Sequence, residues 1–346
     1  MINSNILDNF SVIIQGKVLG NPGDNYEKQL TLQCIESIRK FIPGAEIIVS
    51  TWEGSDVSHL PVDKVVFNRD PGAIAYSIYE PDYLNNNNRQ IVSTYNGLTA
   101  GTKKFGIKMR GDCKLLGTSF IHNLKEYPRS DKYRFFKQRI IIPTFYSRNP
   151  RRIAQLIHPS DVFQVGLLED LQDLWNVPLQ PEPETTRALP VEKKIINDTL
   201  GNSYRRSKFG PEQYIWYAFS KKNGLDMELK HFSDIPASKI LPSDWSIINN
   251  FVIEESEKLG VLLPPKMTER RDMQKDLYTH QEWAKLAERY AKGVTPAFEL
   301  ALIAQVYASN VKNIAIKAKN KIFRDASGIF HGIKKLSNPL TWKTRQ

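Results

Sequence analysis

An acid just past a buried strand is a ready ligand for a divalent cation, and Asp112 stands there, beyond the apolar run Gly106 to Arg110. Mg²⁺ or Mn²⁺ takes one or two carboxylates and fills its other positions with water and phosphate oxygens. The plainer reading of Asp112 is a turn cap. Arg110 suits bidentate capture of a phosphate, or a structural ion pair with Asp112. Gly16 closes the first apolar run, Ser11 to Gln15. A glycine there either lets backbone approach a ligand closely or makes an ordinary strand-to-loop turn. Asn88, Arg89 and Gln90 stand ahead of a helical pattern, where Arg89 can also be a solvated helix-start residue. The two cysteines, Cys34 and Cys113, are too few for a thiolate cage or a disulfide framework and suit a reducing compartment.

The elements that must position these residues are legible in the first third of the chain. Ser11–Gln15, Glu46–Thr51, Asp63–Phe67 and Gly106–Arg110 read as short buried strands, separated by helical spacing over Tyr26–Phe41 and Arg89–Lys104. This alternation predicts an α/β fold with a parallel sheet covered on both faces. In such sheets ligands bind at the carboxyl ends of the strands. Gln15, Gly16, Thr51, Trp52, Asn68 to Asp70 and Arg110 to Asp112 are therefore the positions to watch. Farther on, Tyr133–Phe145 suggests two strands, His158–Gly166 another, and Leu167–Trp175 and Gly210–Lys222 helices. Val177–Gly210 carries prolines and charges with little periodicity, the pattern of a lid or binding loop.

Over 346 residues, 41% hydrophobic and 10% aromatic content supplies a sizeable core and excludes disorder throughout. No apolar run reaches the roughly 18 residues of a membrane span, and the start lacks the basic, apolar pattern of a signal peptide. A cytoplasmic protein is expected. Lys and Arg number 48 against 37 Asp and Glu, a net charge of +11, so an anionic partner is expected. Past Leu263-Pro264-Pro265 the patterns become helical and basic. The expected division is thus an α/β domain over 8–260 and a basic helical C-terminal extension over 266–346. Pro296 opens a helix whose apolar stripe would be Ile303, Val306, Tyr307, Val311, Ile314 and Ala318. From Val311 to Gln346 nine basic residues face Asp325 alone. Such a tail can lie on an anionic membrane, bind nucleic acid, or stay solvated; no nucleic-acid motif accompanies it.

Several blocks in order resemble the WavE family of lipopolysaccharide and capsule biosynthesis, over roughly residues 10 to 222. They are SVIIQGKV from Ser11, NNNRQIVSTYNGL from Asn86, KFGIKMRGD from Lys104, HPSDVFQVGLLEDLQDLW from His158 and GPEQYIW from Gly210. The resemblance implies a GT-A-type glycosyltransferase: a Rossmann-type mixed sheet flanked by helices, a nucleotide-sugar donor, and a divalent cation on a DXD-type motif. This chain departs from DXD, because Arg110-Gly111-Asp112 supplies one carboxylate. Carried over, Gln15, Gly16 and Asp70 would surround the base and ribose, Arg89 and Gln90 would face the donor, and Asp112 would hold the diphosphate, with Mn²⁺ or Mg²⁺.

An inverting transfer needs a base for the acceptor hydroxyl. Glu212, in a helix's first turn, is the first candidate, although an acid there also simply favours the helix dipole. Asp161 follows Pro159 and Ser160 and suits acceptor binding or a turn. Asp170 can instead bond backbone, and His158 beside a proline reads as structural. Lys103, Lys108, Arg205 and Arg206 could balance the leaving diphosphate, the last two with Tyr204 on a closing lid. Trp216 and Tyr217 read as core. A lipid-linked or polysaccharide acceptor would favour a tail on the inner face of the cytoplasmic membrane. The rival readings are a nucleotidyltransferase, for which Gly16, Gly20 and Gly23 are too dispersed, and a membrane-peripheral scaffold without turnover.

Overall fold

Val12, Ile13 and Ile14 are β-branched and buried, and they make β1 (Phe10–Gln15) a central strand. The computed structural model describes residues 4–77, 80–181, 208–264, 267, 274–312 and 315. The proposed lid residues Tyr204 to Arg206 and the tail beyond 315 lie outside them. After β1, α1 (Leu30–Phe41) buries Cys34, Ile35 and Ile38 at helical spacing and stops ahead of Pro43-Gly44. β2 (Glu46–Trp52) and β3 (Lys64–Asn68) follow. β4 (Ile74–Ser77) and β5 (Glu80–Asn85) pair as a separate antiparallel ribbon where the asparagines predict only a polar loop.

Next come α2 (Asn87–Thr99), β6 (Phe105–Arg110), β7 (Lys114–Leu115), β8 (Ile140–Pro143), β9 (Gln164–Leu167) and α3 (Leu168–Trp175). Beyond the excursion stand α4 (Pro211–Lys222), α5 (Ala237–Asn250), β10 (Phe251–Glu254), α6 (Ser256–Leu259), β11 (Val261–Leu262) and α7 (His280–Ala291). A further helix covers 296–312.

Seven strands form one mixed sheet in the order β10-β8-β9-β6-β1-β2-β3. This is the α/β class expected, compatible with a Rossmann-like glycosyltransferase fold. β1 runs parallel to β2 and β6, whereas β9 opposes both β6 and β8. The amino end of β9 therefore lies where its neighbours have their carboxyl ends, which brings the segment before it to the ligand edge. α2 lies close on β1 and β2: a side chain at Gly97 would come within 2.6 Å of Ile13 and 2.9 Å of Ser50. Just beyond its end, Thr102 N donates to Ser11 Oγ at the amino edge. The first turn of α2, with Arg89 and Gln90, is thus at the carboxyl edge.

Two expected strands within Tyr133–Phe145 reduce to one, β8. Asn250 Oδ1 accepts from the amides of Phe135 and Phe136, and Asp170 accepts from those of Lys137 and Gln138. Side chains satisfy these donors, so no ladder is needed. Trp283, Tyr290, Leu302 and Val306 join the same core as the sheet. Residues 280–306 are thus packed into the body of the α/β domain. No helix among the described residues is long and apolar enough to cross a membrane.

Candidate functional site

Gly16 takes φ of +101°, where a side chain is strained, and nothing lies within 4 Å of where its Cβ would be. Its amide still donates to Ser50 O at 2.9 Å, so the loop leaves β1 beside β2 with one open face. Next to it, Gln15 Oε1 accepts from Ser93 Oγ of α2 at 3.0 Å. One turn nearer the start of that helix, Gln90 Nε2 donates to Asp161 Oδ2 at 2.6 Å. Three segments far apart in the chain meet here because α2 runs against β1 and β9 runs against β6.

Beneath Asp161 lies Lys108, fully buried in β6. Its ammonium donates to Asp161 O and sits 4.8 Å from the centre of the Trp175 ring. Burial pulls its pKa down to about 8, against the attraction of Asp161. Trp175 is itself fixed by Nε1 donating to Gln164 Oε1 at 2.7 Å.

Glu212 reaches the same place from the first turn of α4, its side chain 12% exposed. Burial, reinforced by the charge of Asp161, pushes its carboxyl up to about 8, and Arg148 and Lys108 offset this only in part. His158 Nε2 stands 3.7 Å from Glu212 Oε2, beyond hydrogen-bond range. His158 Nδ1 lies 3.0 Å from Tyr146 O. Burial, with Arg148 adding to it, drives the imidazole down to about 3. The ring is therefore neutral, Nδ1 carries the hydrogen toward the carbonyl, and Nε2 turns a lone pair toward Glu212. Tyr146, whose carbonyl faces His158, and Ile157, which precedes it, have φ of 64° and 50°. Left-handed backbone at a β-branched residue is strained, and such strain gathers at functional sites.

Two ion pairs line the outer edge. Arg89 donates through Nε and Nη2 to both oxygens of Asp70, at 2.7 and 2.6 Å, which holds the Asp70 carboxyl below its usual range. Arg110 donates through Nε and Nη2 to Asp112, both at 2.8 Å. Of the two readings of Arg110, the structure makes the ion pair. The Asp112 side chain is 4% exposed, and no cluster of three or more His, Cys, Asp or Glu able to hold a metal occurs among the described residues. The described donors do not fit the divalent cation expected on Asp112, because both of its oxygens already serve Arg110.

A family model for WavE lipopolysaccharide synthesis matches residues 10–319. The chain belongs to that family. Lipopolysaccharide biosynthesis is thus the process in which it takes part. No curated protein matches the chain. The family match runs well past Trp216, where the recognisable blocks end, and takes in α7 and the helix over 296–312.

Of the residues singled out in the sequence, Gln15, Gly16, Gln90, Asp161 and Glu212 converge with Lys108 and His158. Arg89, Asp70, Arg110 and Asp112 flank them along the strand ends. Asp170 is set apart: α3 begins at the amino edge, where Leu168 N donates to Lys104 O, and Asp170 caps the amides of Lys137 and Gln138. Trp216 is buried in the core, as read. Lys108 was visible only as one cation among several. The signal that could have raised it is its place inside an apolar strand, where a lysine needs a partner. Arg148 had no local signal.

Proposed function

We propose that the protein is a glycosyltransferase that moves a sugar from a nucleotide-diphosphate sugar to a lipopolysaccharide or surface-polysaccharide acceptor. The observation that carries this reading is the meeting of Asp161 and Glu212 at the carboxyl edge, beside the open face of Gly16. As the acceptor oxygen bonds to the anomeric carbon, the bond to the diphosphate breaks and Glu212 takes the hydroxyl proton. A carboxyl raised to about 8 is a stronger base than an ordinary one and ionises near working pH. Asp161, held by Gln90 and by Lys108 through its carbonyl, keeps that affinity high. Arg89 and Arg110 are the partly exposed cations for the diphosphate; Arg110 keeps Nη1 outside its pair with Asp112.

The test is thermal unfolding of the purified protein with a panel of UDP- and GDP-sugars, followed by product analysis. A nucleotide sugar should raise the midpoint and then release nucleoside diphosphate. Release of pyrophosphate from a nucleoside triphosphate would favour a nucleotidyltransferase. No response to any nucleotide sugar would favour a scaffold without turnover.

A further inference from the structure

The helix over 296–312 is apolar on two opposite faces. One face is used: Leu302, Val306 and Asn310 are buried against the body, and Asn310 Nδ2 donates to Pro150 O at 3.2 Å. The other carries Leu300, Ala304, Tyr307 and Val311, spaced four, three and four residues apart, which is one stripe on a helix. Leu300 is 69% exposed, Val311 65% and Tyr307 39%. Ala297, Ala301 and Ala308 widen the stripe, and all three are exposed. A helix packed on one side ordinarily turns charge outward; here the outward charges reduce to Glu299 at one end and Lys312 at the other. The stripe expected from spacing alone, through Ile303, Val306, Tyr307 and Val311, is thus divided between the two faces.

Directly after this helix the chain carries Lys317, Lys319, Lys321, Arg324, Lys334, Lys335, Lys343 and Arg345 against Asp325 alone. An apolar stripe continuous with a polybasic stretch matches one chemistry: hydrocarbon under a layer of negative charge. A second copy of the chain would have to bring the same positive tail beside its own. Nucleic acid would leave the leucine and valine unused.

We propose that the outer face of the 296–312 helix docks the protein on an anionic lipid bilayer, the partner that the basic sequence after it favours. Leu300 and Val311 enter the interface, while Tyr307, whose hydroxyl donates to Ile235 O at 2.8 Å, stays on the body at its border. This surface is independent of the catalytic reading and stands or falls separately from it.

The experiment is co-sedimentation of the full chain with vesicles of phosphatidylcholine alone or with about a third phosphatidylglycerol. Binding is expected to the anionic vesicles only, and about 0.5 M salt should weaken it because charge is screened. The double variant Leu300→Glu, Val311→Glu should partition at least tenfold less, with an unchanged unfolding midpoint because both sites are exposed. Equal partitioning of the double variant and the unaltered protein would overturn the proposal. So would equal binding to neutral vesicles, no sedimentation with anionic ones, or a dimer in sedimentation velocity that the double variant dissociates.

Discussion

Asp244 and Glu212 are both acids taken out of water, and their surroundings differ in kind. Asp244 is fully buried in α5 and accepts both Arg151 terminal nitrogens at 2.8 Å, Tyr278 at 2.5 Å and Tyr290. Burial works to raise its pKa, but Arg151 and the two tyrosines hold it below the usual carboxylate range. Glu212 has no such fork. It faces another acid, a lone pair on His158 and two cations committed elsewhere, Lys108 to Asp161 O and Arg148 to Asp276, and burial raises its affinity for a proton. The first arrangement spends its charge on holding α5, α7 and the Arg151 segment together. The second leaves a proton to be moved. A buried acid with all its partners reads as architecture, and one short of partners reads as chemistry.

The largest expected effect separates the two. Asp244→Asn strands the Arg151 guanidinium and should cost about 3–5 kcal/mol in urea unfolding. Were it to cost under about 1 kcal/mol, the structural assignment would fail. Glu212→Gln copies the protonated acid and removes the penalty of keeping that proton at pH 7, so it should raise stability there by ~3 kcal/mol, while sugar transfer falls by about 10²–10⁴. Loss of stability without loss of transfer would reverse the comparison.

The pH dependence sharpens it. In the unfolded chain Glu212 titrates near 4.5 and His158 near 6.5; in the native protein they titrate near 8 and 3. Between about pH 4.5 and 6.5 the pair binds one proton in either state, on imidazole when unfolded and on carboxyl when folded, so its contribution is flat. From 6.5 to 8 only the folded state keeps that proton, and stability should fall by ~2 kcal/mol as pH rises. From 4.5 down to 3 the unfolded state binds the extra proton, and a similar loss should follow as pH falls. Urea titrations should find the alkaline loss absent in Glu212→Gln; its persistence there would remove Glu212 from the account. The smallest effect is at the rim. Arg89→Ala breaks a partly exposed pair with Asp70 and should cost no more than about 1 kcal/mol, yet raise KM for the donor.

Much of this site was legible because strand ends in an α/β alternation are ligand positions, which singled out Gln15, Gly16 and the Arg110–Asp112 turn. Glu212 was legible from Pro211 and the helix start. Strand direction was not: nothing local in Gln164–Leu167 says that β9 opposes its neighbours, and that reversal is what sets Asp161 over Lys108. Asp112 could not be assigned locally, because a lone carboxylate after a strand looks the same in sequence whether a cation or Arg110 holds it. For Asp170 the backbone-bonding reading was open, but its partners at Lys137 and Gln138 are distant in the chain and had no local signal.

The most direct test is the rate of acceptor-dependent nucleoside diphosphate release as a function of pH, in the unaltered protein and in Glu212→Gln. The rate should climb about tenfold per pH unit and level off near the carboxyl's pKa of about 8, and the variant should show neither the climb nor the plateau. An identical profile in both proteins would contradict a proton-accepting role for Glu212 and with it the site described.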